Sequence, residues 1–237
     1  VGFPSAVRLA EGKIWVLWNP RLNDAFRTLA EQLVDMEISS PGGAFFFSAV
    51  YARCTGVARR PFWSAMERLA SSRQGSWMVA GDFNIITEAS ERLGGAAPNT
   101  RHMEDFNHTL FNCGLTTVEF EGPKYTWTNG TVWQRLDRVV INQEWAEMCS
   151  VTRVLHLSRG RSDHTPLLIK CGSGRQGKSA FRYLNVWPRH RSFLGVVQEV
   201  WGGGGPSRTM SKFYQKLLGV KSKLRVWNKE VFRNIGT

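Results

Sequence analysis

Long apolar runs are missing from these 237 residues. The longest, such as Ala44-Phe45-Phe46-Phe47, fall far short of the roughly 20 residues a membrane-spanning helix needs, so no membrane partner is expected. The start shows no signal-peptide pattern. Cysteine is scarce, with four residues (Cys54, Cys113, Cys149, Cys171), no CxxC pair and no Cys/His cluster at zinc spacing. A reduced, intracellular, non-secreted protein is the expectation. No internal repeat is visible. The chain opens on Val1 rather than Met, which reads as a fragment of something longer.

Acidic residues are nearly absent from one end. Residues 172–237 hold 13 Lys+Arg against 2 Asp+Glu, leaving residues 1–171 with 18 basic and 17 acidic of the chain's 31 and 19. A neutral body thus carries a cationic tail, which attracts polyanions such as nucleic acid. Hydrophobic content of 42% is ample for a packed core.

The body reads as short strands with irregularly placed helices. Strands are expected at 14–18, 44–51, 77–80, 115–120, 125–128, 133–141, 151–157 and 166–169. Helices are expected at 61–70, with Pro61 near its start, and at 103–113, ended by Gly114. Asn142 reads as the N-cap of a short helix carrying Trp145 and Met148, and Asn129-Gly130 reads as a hairpin turn. This order predicts an α+β sandwich rather than a βαβ repeat. Linker-like breaks follow at 172–177 and 202–206. Beyond them Phe213, Leu217, Val220, Leu224, Trp227 and Val231 form a heptad-like apolar stripe on a basic helix. The stripe is expected to pack on its own protein or on a downstream domain, with a coiled-coil or nucleic-acid role as the alternative.

Polar clusters interrupt the apolar segments at Gly81-Asp82-Phe83-Asn84, Arg135-Leu136-Asp137-Arg138 and Ser162-Asp163-His164, and Tyr51 ends a strand. Each alone has the composition of a turn. Together they form a pattern. Asp82 and Asn84 leave a strand end with the same parity. A carboxylate at Asp137, within an apolar strand, would cost several kcal/mol if buried without a partner, and the imidazole of His164 would supply one. Carboxylates suited to Mg²⁺ or Mn²⁺, beside an oriented histidine, are the chemistry of phosphodiester hydrolysis.

The segments "GDFN", "RLDR" and "SDHTP", in that order and with "AVY" upstream, resemble signatures of the endonuclease/exonuclease/phosphatase superfamily, which includes deoxyribonuclease I. Over about residues 3–171, "GKIWVLWNP", "WMVAGDFNIITEASERLGG", "GPKYTWTNG", "RLDRVVIN" and "GRSDHTPLLI" are more closely similar to the endonuclease domain of plant LINE-type non-LTR retrotransposons. "FRYLNVW" and "KLRVWNKEVFRNIG" resemble the basic connector before their reverse transcriptase. The resemblance implies a four-layer α/β/β/α DNase I-like sandwich in residues 1–171, lacking its first strands and so leaving an exposed sheet edge. A basic helical extension, 172–237, would lead toward a reverse transcriptase. It implies a metal-dependent endonuclease acting on DNA, with nuclear localisation following from that target.

By the same resemblance Asp82 would bind Mg²⁺ or Mn²⁺ or activate water, and Asp163 would help hold the metal. Asn84 would orient the phosphate, Asp137 would hold His164, and His164 would contact phosphate or take a proton. Tyr51 would donate to phosphate. Arg138 and Trp127 are candidates to line the cleft, Trp127 with core packing as the preferred reading. The family's N-terminal Asn and metal-binding Glu have no counterpart here, and Glu11 is not assigned that role. Weak Mg²⁺ binding and impaired activity are therefore expected. The alternatives are an inactive relic that at most binds nucleic acid, and a phosphatase or phosphodiesterase on a non-DNA substrate.

Overall fold

The computed structural model describes residues 3, 5–9, 13–19, 23–40, 43–172, 187–203 and 210–233. Val1, Glu11, most of both expected linker segments and most of "FRYLNVW" lie outside them. No helix among the described residues is long and apolar enough to cross a membrane.

The chain runs β1 (Ser5–Leu9), β2 (Ile14–Trp18), β3 (Asn23–Ala30), β4 (Leu33–Ser40), β5 (Gly43–Tyr51), α1 (Gly56–Ser72) and β6 (Trp77–Asp82). A 3-10 turn at Ala89–Glu91 precedes β7 (Arg92–Leu93), α2 (Thr100–Asn112), β8 (Thr116–Thr117), β9 (Phe120–Glu121), β10 (Trp127–Thr128) and β11 (Trp133–Gln134). Then come β12 (Asp137–Ile141), α3 (Gln143–Met148), β13 (Val151–His156), β14 (Leu167–Gly172), α4 (Phe193–Gly202) and α5 (Met210–Arg233). Mixed α and β content in several sheets, with five α-helices among the described residues, is the α+β class that the sequence predicts.

The main sheet has six strands in the order β3-β4-β5-β6-β12-β8. Only β5 and β6 run parallel, joined through α1. Its strands alternate between two cores. Val50, Trp77, Val79 and Val140 face α1 and α2, packing on Phe62, Trp63, Met66, Phe106 and Leu110. Met78, Ala80, Val139 and Ile141 face the other way, onto Val154, Leu167 and Ile169 of the three-stranded sheet β14-β13-β9. The β1-β2 pair extends that second layer, with Ile14 packed on Val34 and Met36. Two sheets thus stack face to face, with helices outside one of them.

Capping explains where the helices begin. Thr55 caps α1 by accepting from the Ala58 amide, so the helix opens five residues before Pro61. The carbonyl that Pro61 leaves without an amide donor is that of Val57, an exposed residue. Asn99 caps α2, and Gly114, in the left-handed region at φ 63°, follows its end. The Asn142 side chain accepts from both Trp145 N and Trp77 N at 2.9 Å, tying α3 to the start of β6.

Two expected strands are split between sheets. Residues 115–120 divide into β8 in the main sheet and β9 in the second. Residues 133–141 divide into β11, in the small β10-β11-β7 sheet, and β12. The break at Arg135-Leu136 has a physical cause: Arg135 and Arg138 both turn to the buried carboxylate of Glu91, at 3.0 and 2.7 Å. Strands β1, β3 and β4 were not foreseen. In β4 the buried Asp35 hides the apolar pattern, its charge met by Arg73 and by the Ser48 hydroxyl.

The tail packs on the body. Trp187, Leu224 and Trp227 form a buried cluster with Phe111 of α2 and with Phe193, Val196, Val197, Val220 and Val231 against it. The stripe therefore meets its own protein over its C-terminal half, while Phe213 and Leu217 remain exposed.

Candidate active site

Strand register brings three side chains abreast. Tyr51 at the end of β5 pairs with Asp82 at the end of β6, and Asp82 pairs with Asp137 at the start of β12. All three share parity with residues of the intersheet core, so they sit where the two sheets open. The second sheet contributes His164 from the β13-β14 connection. An isolated bridge between Trp127 and His164 holds that connection in place, together with Thr128 N to Asp163 O (3.1 Å) and Thr165 N to Thr126 O (2.7 Å).

Asp137 Oδ2 accepts from His164 Nδ1 at 2.8 Å, which leaves Nε2 turned toward Asp82, 3.8 Å from its Oδ2. That hydrogen bond raises the imidazole above its ordinary pKa, against the opposing effect of burial. Asp82 is pushed up to about 6, first by burial and then by the charge of Asp137. Ligand atoms of Asp82, Asp137 and His164 all lie within 4.8 Å of one another. One buried and one half-buried carboxylate beside one imidazole make a site short of positive charge, and a hard divalent cation fits that donor set.

Asn84 lines the cleft, but its amide is already engaged. Nδ2 donates to Asp82 Oδ2 (2.9 Å) and to Ala52 O (2.8 Å), while its backbone N–H donates to Asp82 Oδ1 (2.8 Å). The residue takes φ 51°, a left-handed conformation that asparagine tolerates. Here Asn84 orients Asp82 rather than offering a free donor to a phosphate. Phe83, between them, is fully buried against Phe62 and Phe106.

Three further expectations meet the structure differently. Asp163 borders the cleft, yet its carboxylate accepts from Trp127 Nε1 at 3.0 Å and lies outside the converging group. That hydrogen bond lowers its pKa. Trp127 is a cleft residue as well as a packing one: it lines the opening and rests on the Ile86, Met103 and Leu136 cluster. Arg138, expected in the cleft, is 1% exposed and faces the opposite way, into Glu91. Desolvation drives this outcome, because a buried guanidinium needs a carboxylate and Glu91 is the one in reach.

The cleft encloses about 470 Å³ and is bordered by Tyr51, Asp82, Asn84, Trp127, Asp163 and His164. Arg59, Arg92 and His102 border it too, and the sequence reading missed them. Arg59 carried a usable signal: it precedes Phe62 and Met66 by three and seven positions, an arginine on the apolar face of a helix. No glutamate borders the cleft among the described residues.

The fold has solved counterparts. The endonuclease domain of TRAS1, a telomere-specific non-LTR retrotransposon, superposes with a TM-score of 0.55 at 14% identity, covering 69% of this chain and 75% of that one. An endonuclease/exonuclease/phosphatase family protein from Leptotrichia buccalis (TM-score 0.42, 16% identity, 64% and 60% covered) and truncated TDP2 from Caenorhabditis elegans (0.43, 14%, 67% and 70%) are more distant. This is a DNase I-like fold. The assignment rests on the first of these structures. No protein-family model matches the chain, and no curated protein does.

Proposed function

We propose that residues 1–171 are a metal-dependent phosphodiesterase domain acting on DNA as an endonuclease, of the kind found in LINE-type retrotransposons. The observation that carries this reading is the convergence of Asp82, Asp137 and His164, drawn from both stacked sheets, within 4.8 Å. The quoted motifs and the basic tail support DNA as the substrate. On this reading residues 172–237 connect to a reverse transcriptase, and the site of action is the nucleus.

Asp82 would hold Mg²⁺ or Mn²⁺, which when bound would polarise the phosphate and stabilise charge at its oxygens. The remaining work belongs to the chain itself. Asn84 fixes both oxygens of Asp82. Asp137 fixes the His164 tautomer, so that Nε2 can give or take a proton at a phosphate oxygen. Tyr51, exposed at the cleft mouth, can donate its hydroxyl to the same group.

One observation favours an impaired or inactive form. Asp137 accepts from His164, Asp163 from Trp127, and both oxygens of Asp82 from Asn84, so each of these carboxylates would share its lone pairs between a cation and a protein donor. Weak metal binding follows. Nicking of supercoiled plasmid in Mg²⁺ or Mn²⁺ tests both readings. Nicking that His164→Ala and Asp82→Asn each abolish supports the endonuclease. A chain that binds plasmid yet leaves it intact at saturating metal supports the inactive form.

A further inference from the structure

Among the described residues, buried arginine side chains are each paired with a carboxylate, with one exception. Arg73 pairs with Asp35, and Arg135 and Arg138 pair with Glu91. Arg59 is 2% exposed, yet no carboxylate stands within ion-pair distance of it among the described residues. Its Nη1 donates to the backbone carbonyls of Arg53, Cys54 and Asn84, each at 2.9 Å. Those contacts fix the guanidinium in place without cancelling its charge. They leave Nε and Nη2 with no partner among the described residues.

A buried cation with no carboxylate in contact is costly, and Asp105 and Asp82 act on this one only from a distance. Burial accordingly lowers the pKa of Arg59. The group is not sealed in a core, however: it borders the cleft that also holds Asp82 and His164. Arg92, on the same cleft, is engaged by Gln134 Oε1 and Gly94 O, again neutral acceptors. A planar guanidinium, pre-oriented by three carbonyls and without a carboxylate in contact, is suited to a tetrahedral oxyanion.

We propose that Arg59 is a phosphate-binding group of the cleft, its free edge receiving a non-bridging oxygen of the bound phosphodiester. The assignment rests on the reading of the cleft as a phosphodiester site. It also gives the loop after Tyr51 a role, because the same guanidinium ties Asn84 to the Arg53-Cys54 turn. Contact with the ligand would be relayed directly to the residue that orients Asp82.

The test needs neither metal nor turnover. Inorganic phosphate is titrated into the full chain in EDTA while arginine Nε–H signals are followed by NMR, with Arg59 assigned by its loss in Arg59→Gln. The Arg59 signal should shift saturably. Arg59→Gln should weaken the cleft's affinity for phosphate about tenfold or more, the scale of one charge-assisted hydrogen bond, and Arg59→Lys less. A signal that stays still while other sites titrate overturns the proposal, as does unchanged affinity in Arg59→Gln. If Arg59→Gln fails to fold, the signal is assigned through triple-resonance spectra and the wild-type titration alone decides. A chain that binds phosphate at Arg59 but never nicks DNA sinks the endonuclease reading and leaves this one standing.

Discussion

Asp137 does two things to His164: it selects the tautomer and it holds the proton. Because the hydrogen bond raises the imidazole pKa, its stabilisation is complete below the unfolded histidine value of about 6.5 and is lost as pH rises through the folded value. Asp137→Asn should bring the His164 titration down toward its ordinary midpoint, read from the Cε1–H resonance. An unmoved midpoint would show that Asp82 and Asp163, not Asp137, set it. His156 runs the opposite way. Burial lowers its pKa, so it erodes stability as pH falls below about 6.5. Arg138 gives the residue-scale stability prediction. Arg138→Met leaves Glu91 buried with only Arg135, and should cost about 3 kcal/mol in urea denaturation. A cost near zero would mean that the pair is not buried in solution. These residues also mark what was readable in advance. Asp82, Asp137 and His164 stood out because each breaks an apolar pattern. Arg138 did not reveal its direction, because its carboxylate lies 47 residues away in a stretch that reads as loop.

The elements deliver this chemistry through backbone approach as much as through side chains. Gly81 has φ 139°, and a Cβ placed there would collide with the Val50 carbonyl on the neighbouring strand. β5 and β6 can run this close just before Tyr51 and Asp82 only because that position is glycine. Gly81→Ala should therefore separate the two strand ends, destabilise the fold by more than the roughly 1 kcal/mol typical of point substitutions and lower metal affinity together with stability. Denaturation and Mn²⁺ titration of the same variant check both, and wild-type behaviour in each would refute the close-approach argument. At this scale the sequence was partly legible. Helices α2 and α3 and the Asn129-Gly130 hairpin followed from caps and turn residues. The split of 115–120 and 133–141 between sheets did not, because periodicity reports which face is apolar and not which sheet that face joins. Strand β4 was hidden by Asp35, a carboxylate made tolerable by Arg73, 38 residues away, and by the Ser48 hydroxyl.

Across the whole molecule, a nearly neutral body meets a cationic helical pair through Phe111, Trp187, Leu224 and Trp227. This packing decides how the tail's role should be tested. Deleting residues 172–237 would strip the cover from Phe111 and confuse lost affinity with lost folding, so neutralising charge in place is the cleaner experiment. Lys212, Lys216 and Lys221 lie on α5, Lys212 exposed and Lys216 and Lys221 half-buried. If the tail supplies the electrostatic grip on DNA, changing all three to Gln should weaken binding about equally for every sequence. It should also flatten the dependence of log affinity on log salt by about 0.9 for each phosphate contact removed. Melting temperature should fall only modestly, because none of the three belongs to the buried cluster and the bond lost at Lys216 is that of its Nζ to the Trp201 carbonyl. An unchanged salt slope would place the DNA-binding charge on the body, around Arg59 and Arg92, and reduce α4 and α5 to a cap on α2.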